Sequence, residues 1–216
     1  MTAHFEWADL RRLIEQSFFY RTMDLYLLEE KLHTPIHDSL HWSRRFEYPW
    51  IIGRLQDRVE PIKTILDVGA GATAIQFLLA DLGHDVSSID PDPTAFNWVN
   101  RTSLNRHSIK DNRFGSLPIL PFADGQFDIS ICISVLEHLP KDQVLPSIKE
   151  LLRVSKKEVL ITMDICLDKN EKQQDMLDLA VLDAEIKLNC AMMPREALTF
   201  HIDGYEFGVA CIHIAK

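Results

Sequence analysis

Two carboxylates and the glycine-containing turn between them are the residues whose types and spacing point most clearly to chemistry. Asp67 stands two residues before Gly69-Ala70-Gly71, and Asp90 lies 23 residues after Asp67, directly before Pro91. Glycine lets a ligand lie against the backbone where a Cβ would clash. An anion beside that turn repels a pyrophosphate and attracts a ligand with a positively charged amino group. Asp90 is suitably placed to accept both ribose hydroxyls of an adenosine.

Both features have other interpretations. The turn could be a tight connection that binds nothing. Gly69, Gly71 and Ala74 also satisfy the GxGxxA pattern of dinucleotide-binding proteins, which would make the chain an NAD(P)-dependent Rossmann oxidoreductase. Against that, Asp67 would repel the pyrophosphate, and no tyrosine is followed by a lysine four positions later. Asp90 could serve only to form the turn before the following proline.

Short apolar strands that alternate with helices must position these groups. Strands are predicted at 65–68, 86–89, 113–115, 127–134, 158–163, 198–202 and 207–215, with helices at 74–82, 94–105, 144–152 and 170–189. The alternation predicts an α/β fold, a doubly wound, three-layer α/β/α sheet covered by helices on both faces. Residues 1–60 have the pattern of helices, so we expect an N-terminal helical cap that roofs the substrate pocket at 1–60 and a core at 61–216.

A further signature lies at the start of the fourth predicted strand. Residues 120–128 read LPFADGQFD, and residues 136–139 read LEHL. Together with the acidic-glycine turn and Asp90, this order of motifs resembles the class I S-adenosylmethionine-dependent methyltransferases over about residues 62–163. The resemblance implies a Rossmann-like sheet of seven strands, mostly parallel, with the last one antiparallel. It also implies in-line transfer of a methyl group from S-adenosylmethionine (SAM) to an oxygen or nitrogen of a small or medium acceptor, leaving S-adenosylhomocysteine.

The resemblance also implies roles for individual residues. The backbone of residues 69–71 would cradle the methionine moiety, with Asp67 near its amino group and Asp90 on the ribose. Thr73 stands where the family usually has a third glycine, and Ser116 stands where many members have an acid for the adenine amino group. The residues that the resemblance places at the cofactor are Asp67, Gly69, Ala70, Gly71, Thr73, Asp90, Pro91, Ser116, Leu117, Ile133 and Ser134.

Histidines are the candidates for a general base, which a hydroxyl acceptor needs and a neutral amine does not. His138 follows the fourth strand, where the resemblance places groups near the methyl, and His41 and His37 of the cap come next. His33, His37 and His41 recur every four residues, but Pro35 separates the first from the others. Zinc normally takes three or four ligands, so we expect no metal site. All of these histidines could instead face water.

The segment 44–50, RRFEYPW, places aromatic rings beside paired charges directly ahead of the core. It could close over the cofactor, or it could be the hydrophobic plug by which the N-terminal helices dock. We expect the helix that carries His37 and His41 to be interrupted at Pro49.

Composition limits the class of partner. The net charge is −9, from 23 basic and 32 acidic side chains, which argues against nucleic acid. No segment reaches the roughly 18 to 20 apolar residues of a membrane helix, and the charged N-terminus is unlike a secretory signal. We therefore expect a cytoplasmic protein that acts on a small-molecule acceptor and whose four scattered cysteines are thiols. A non-catalytic SAM-binding or partner protein is the main alternative, and the acceptor and the oligomeric state stay open.

Overall fold

Apolar strands buried on both faces form the framework of the protein. The computed structural model describes residues 43–56, 61–73, 75–105, 109–166, 189–192, 200–202 and 205–216. The chain divides after Phe114 into two compact units. None of the helices in these described ranges combines the length and the apolar character that a membrane span requires.

The first unit has a parallel sheet with β2 between β1 and β3. Its strands are β1 (Thr64–Val68), β2 (Asp85–Asp90) and β3 (Asp111–Phe114), and its helices are α1 (Arg44–Gln56), α2 (Ile75–Asp81) and α3 (Pro93–Asn105). The apolar residues of β1 and β2 are almost fully buried, as expected for parallel strands with both faces covered. In a parallel pair the carboxyl ends meet at one edge, so the register Val68↔Ile89 brings the ends of β1 and β2 together.

Local signals set the ends of the helices in this unit. Gly83 has φ +95° and donates from its backbone to Ala80 at 2.9 Å, which closes α2 in the left-handed conformation that glycine tolerates. Asp92 caps α3, because its Oδ1 accepts the backbone N–H of Thr94 at 2.8 Å, with Pro93 at the first helical position. The carboxyl end of β2 therefore lies directly before the capped start of α3.

The second unit contains β4 (Phe127–Ile133), a 3₁₀ turn (Leu136–His138), α4 (Lys141–Val154), β5 (Ser155–Cys166), β6 (Asn189–Met192), β7 (Phe200–Ile202) and β8 (Tyr205–Ala215). β4 and β5 are parallel, and β8 is antiparallel to β5 as predicted for the last strand. β6 and β7 also pair antiparallel with β8. Buried Cys132 lies in β4 and buried Cys211 in β8.

The described residues contain eight strands, whereas the sequence predicts seven. The difference is β6, whose four residues, NCAM, include no β-branched side chain and lie where the pattern indicates the end of a helix. This strand is formed through its pairing with β8, a tertiary contact that no local pattern reports. The other residues of the predicted helix at 170–189 lie outside the described residues.

Most of the predicted cap, including His37 and His41, also lies outside the described residues, so the boundary at residue 60 stays a prediction. One expectation in this region is wrong. The helix α1 runs through Pro49 to Gln56 instead of being interrupted there. The N–H groups in the first turn of a helix have no intrahelical acceptor. Pro49 lies just past that turn of α1, so its missing N–H removes only one backbone hydrogen bond and the helix continues.

One side chain of α4 holds the loop that leads into β4. The Arg153 guanidinium donates to Asp124 at 2.6 Å, to Glu150 at 2.8 Å and to the carbonyl of Leu120 at 3.2 Å. Glu150 in turn accepts the backbone N–H of Leu120 at 2.7 Å. We expect Arg153→Ala to lower the free energy of unfolding by about 1 to 2 kcal/mol, because part of this network is shielded from water. Urea unfolding measures the change.

The matched control is Lys149→Ala, which removes an exposed side chain from the same helix. Equal urea midpoints for the two variants would contradict a stabilising role for the Arg153 network.

Candidate functional site

The turn between β1 and α2 has a backbone that only glycine adopts easily. Gly69 has φ +70° and Gly71 has φ +57°, both in the left-handed region. A Cβ on Gly71 would also come within 3.3 Å of the Thr73 side chain. The backbone N–H groups of Gly69 and Ala70 donate to Ile89 at 2.9 and 3.3 Å. The turn is therefore tied to the end of β2, and its two glycines leave an uncovered backbone surface.

Asp90 links that turn to the end of β2. Its Oδ2 accepts the backbone N–H of Gly71 at 2.8 Å, and its Oδ1 accepts that of Asp92 at 2.7 Å. The second bond is the turn-forming role that the sequence allows for this residue. A carboxylate oxygen accepts more than one hydrogen bond, so both oxygens keep capacity for ribose hydroxyls. Asp90 thus serves the turn and also presents acceptors at the sheet edge.

We expect Asp90→Ala to weaken SAM binding by about 10- to 150-fold, which corresponds to about 1.5 to 3 kcal/mol for hydrogen bonds to a charged group. Calorimetric titration of the folded variant measures this loss. The matched control is Asp85→Ala, at the opposite end of the same strand, which should bind SAM like the wild type. An unchanged dissociation constant for Asp90→Ala would remove Asp90 from the site.

Asp67 is a buried carboxylate whose charge is only partly compensated. The residue is 2% exposed, and its Oδ2 has no hydrogen-bond partner among the described residues. Burial raises the pKa of Asp67 from 3.8 to about 7, the carboxylate of Asp90 adds to the rise, and Arg44 opposes it. A buried acceptor without a hydrogen-bond donor destabilises the folded protein, and a cationic donor would remove that destabilisation. The site therefore fits a ligand that carries a protonated amine.

Two polar side chains hold the carbonyl groups of the turn. The Thr73 hydroxyl donates to the carbonyl of Ala70 at 2.9 Å, and the Gln76 amide donates to that of Gly71 at 3.2 Å. Thr73, which departs from the family pattern, therefore stiffens the turn in place of a third glycine. Sequence reasoning missed Gln76, although a polar residue in the apolar run IQFLL of α2 is a signal for it.

Helix α1 contributes a buried tyrosine, Tyr48. Tyr48 is 1% exposed, and burial raises its pKa to about 12. Thr73 and Asp67 are among the groups that influence this hydroxyl. The Arg44 guanidinium lies 5.9 Å from the centre of the Tyr48 ring and forms an ion pair with the buried Glu47. The segment 44–50 thus contributes a buried docking surface, in which Glu47 and Tyr48 are almost fully enclosed.

The remaining predicted site residues belong to the second unit. Ile133 ends β4 and is buried, and Ser134 follows it with φ +50°, donating its N–H to Thr162 at 2.9 Å. Leu117 is also buried, whereas Ser116 is exposed. The structure brings together Asp67, the turn and Asp90 in the first unit. It places Ile133 and Ser134 at the carboxyl end of β4, and Ser116 and Leu117 in the loop after β3.

The candidate bases are less clearly positioned. His138 ends the 3₁₀ turn, and its residue is exposed to solvent. Its backbone N–H donates to the carbonyl of Val135 at 3.1 Å. His37 and His41 lie outside the described residues. Within the part of the chain that the structure describes, no group of three or more His, Cys, Asp or Glu side chains could hold a metal ion.

Residues 66–163 match the methyltransferase domain family. An uncharacterized methyltransferase from Mycobacterium tuberculosis is 31% identical over 101 residues, which are 47% of this chain and 38% of that protein. A ubiquinone biosynthesis O-methyltransferase from Acinetobacter baylyi is 31% identical over 81 residues, or 36% of this chain and 34% of that protein. The chain therefore spans well under half the length of these curated relatives.

A solved structure shares the fold over almost the whole chain. Magnesium protoporphyrin IX methyltransferase from Synechocystis PCC 6803, solved with bound SAM, matches with a TM-score of 0.61 and 15% identity over 99% of both chains. This likeness confirms the predicted α/β, Rossmann-like fold class. The sequence match assigns residues 66–163 to the methyltransferase domain family, and the shared fold agrees with the resemblance to the class I SAM-dependent methyltransferases.

Proposed function

We propose that this protein transfers a methyl group from SAM to an oxygen or nitrogen of a small-molecule acceptor in the cytoplasm. The observation that carries the proposal is the buried Oδ2 of Asp67, which has no donor among the described residues and stands beside a turn with two left-handed glycines. The protonated amine of SAM would satisfy that oxygen, and the glycine surface would accommodate its methionine chain. When bound, SAM supplies a methyl group that its sulfonium already makes electrophilic.

The work of the protein is then to align the two reactants and to exclude water. Asp67 would bind the amino group, the backbone of residues 69–71 would follow the methionine chain, and Asp90 would bind the ribose. Pro91 or Asp92 would lie beside the adenine. For the second unit, we propose that Ser116 and Leu117 contact the adenine and that Ile133 and Ser134 line the methionine end.

The class of acceptor is supported by the relatives. One relative is named a ubiquinone biosynthesis O-methyltransferase, and one structural neighbour is named a magnesium protoporphyrin IX methyltransferase. Ubiquinone and magnesium protoporphyrin IX are both small molecules and not polymers. The net charge of −9 adds to this, because a polyanion would be repelled. If the acceptor is a hydroxyl, a base must take its proton, and we propose His138 first, with His41 and His37 after it.

The test is incubation of the purified protein with a cell extract and SAM labelled in its methyl group, followed by identification of any labelled small molecule. The control is the Asp67→Asn variant at the same concentration. We expect a labelled product that requires the wild-type protein. Equal labelling by the two proteins, or none with either of them, would contradict the proposed reaction.

A second candidate is a non-catalytic protein that binds SAM and acts on a partner. The observation that favours it is the exposed Ser116, which stands where many family members have an acid for the adenine amino group. A SAM-binding protein that forms no S-adenosylhomocysteine with any acceptor would support this candidate. NAD(P)-dependent chemistry is disfavoured, because a pyrophosphate would lie beside the carboxylate of Asp67.

A further inference from the structure

The segment that follows β4 leaves the sheet in a conformation that β5 holds. The register of β4 with β5 ends at Ile133↔Thr162, and the backbone N–H of Ser134 still donates to the carbonyl of Thr162 at 2.9 Å. Ser134 has φ +50° and is the one non-glycine residue with a positive φ in the part of the chain that the structure describes. Such a conformation persists only where surrounding contacts hold it, and it is common at functional sites.

Three residues later, the side chain of Glu137 returns the same segment to β5. Backbone groups two positions apart on a strand face the same neighbouring strand, so the N–H of Asp164, like the carbonyl of Thr162, faces the side of β5 that β4 occupies. Because β4 has ended at Ile133, no strand carbonyl of β4 is opposite this N–H. The Oε1 of Glu137 accepts it at 3.0 Å and thereby anchors the 3₁₀ turn to the end of β5.

The turn between these two anchors is closed by its own backbone. The N–H groups of His138 and Leu139 donate to the carbonyls of Val135 and Leu136 at 3.1 and 3.2 Å, and the Leu136 residue is 1% exposed. His138 is exposed and directly follows the anchoring residue. The place of His138 relative to the carboxyl end of β4 is therefore set by the bonds that the turn makes to β5.

We propose that Glu137 is a positioning residue for methyl transfer: its bond to the backbone of Asp164 holds His138 where its imidazole takes the proton of a hydroxyl acceptor. In that step the acceptor oxygen bonds to the methyl carbon, the C–S bond breaks with its electron pair kept by sulfur, and the hydroxyl proton moves to the imidazole. This inference rests on the proposed function and deepens it, because it names the side chain that places the proposed base.

The test compares the rate of methyl transfer with the affinity for the product. The rate is that of label transfer from saturating methyl-labelled SAM to the small molecules of a cell extract, and calorimetry gives the affinity for S-adenosylhomocysteine. Glu137→Ala in the full-length protein should lower the rate about 10- to 100-fold, because a displacement of about 1 Å costs up to about 100-fold. Its affinity should stay within about threefold of the wild type, because the bond from Ser134 to Thr162 remains.

Glu137→Gln is the conservative variant that separates positioning from charge. Its amide oxygen still accepts the N–H of Asp164, so the rate should stay within about threefold of the wild type. The matched control is Asp142→Ala, which removes an exposed carboxylate from the first turn of α4 and should leave the rate unchanged. If Glu137→Ala fails to fold, Glu137→Met replaces it, since methionine fills similar space with only a weak acceptor.

A double variant tests whether Glu137 acts through the histidine. A lower stability of Glu137→Ala does not decide this, because the same bond also satisfies a backbone donor. In the His138→Ala background, adding Glu137→Ala should lower the rate by less than about twofold, since residues that act as a unit are not additive.

The outcomes separate the inference from the function on which it rests. A normal rate of Glu137→Ala, a rate of Glu137→Gln as low as that of Glu137→Ala, or effects that multiply in the double variant would each overturn the inference while the proposed function stands. Absence of labelled product with the wild type would overturn the proposed function and the inference together.

Discussion

Asp67→Asn is expected to weaken SAM binding by about 100-fold or more. The substitution keeps the shape of the side chain and removes the charge that the protonated amine would meet in a buried site, where a lost ionic partner is worth about 3 to 5 kcal/mol. Calorimetric titration at pH 7.5 measures the loss, with Asp85→Asn, at the start of β2, as the control. An affinity within threefold of the wild type would contradict the role of Asp67.

The same variant is expected to be more stable than the wild type when no ligand is bound. The pKa of Asp67 is about 7 in the folded protein against about 3.9 in an unfolded chain, so the folded state binds more protons between these values. The group therefore destabilises the wild type progressively as pH rises from about 4 to 7, by about 4 kcal/mol at most. The gain from Asp67→Asn should increase by about 2 to 3 kcal/mol between pH 5 and pH 8 in urea unfolding. A gain that does not change with pH would contradict the raised pKa.

His138→Ala is expected to reduce turnover of a hydroxyl acceptor by about 100- to 10,000-fold, the usual contribution of a general base, with SAM affinity unchanged. The pH–rate profile should lose the limb that the histidine produces. Steady-state kinetics with the identified acceptor measure both effects, and calorimetry with SAM shows that the site is intact.

Normal turnover of His138→Ala would move the assignment to His41 or His37, which single replacements test in the same way. Normal rates for all three variants would contradict a histidine base and would favour an amine acceptor, which needs no base to deprotonate it.

The sheet edge was accessible to sequence reasoning because its signals are local. Asp67, the two glycines and Asp90 lie at strand ends within 24 residues, and each is specified by a turn or a strand that a short segment determines. The structure places Asp67 in β1 and Asp90 at the end of β2, and it adds that the Asp90 carboxylate accepts the backbone N–H of Gly71. Because the local turn and strand signals agree with the fold here, these residues can be recognised from the sequence.

The rest of the site depends on contacts between residues that are distant in sequence. Tyr48 and Thr73 are 25 positions apart, and no periodicity in the sequence indicates that Thr73 influences the buried Tyr48 hydroxyl. The strand β6 has no strand-like composition and depends on β8 for its pairing. Thr73 illustrates the same limit, because the family pattern does not indicate its hydrogen bond to the carbonyl of Ala70.

The most direct test is calorimetric titration of the wild-type protein at pH 7.5 with SAM, S-adenosylhomocysteine and NAD in parallel. We predict saturable binding of SAM and S-adenosylhomocysteine at one molecule per chain and no measurable binding of NAD, because the buried Asp67 attracts an amine and repels a pyrophosphate. Binding of NAD in preference to SAM, or no binding of either SAM or its product, would contradict the assignment of this site.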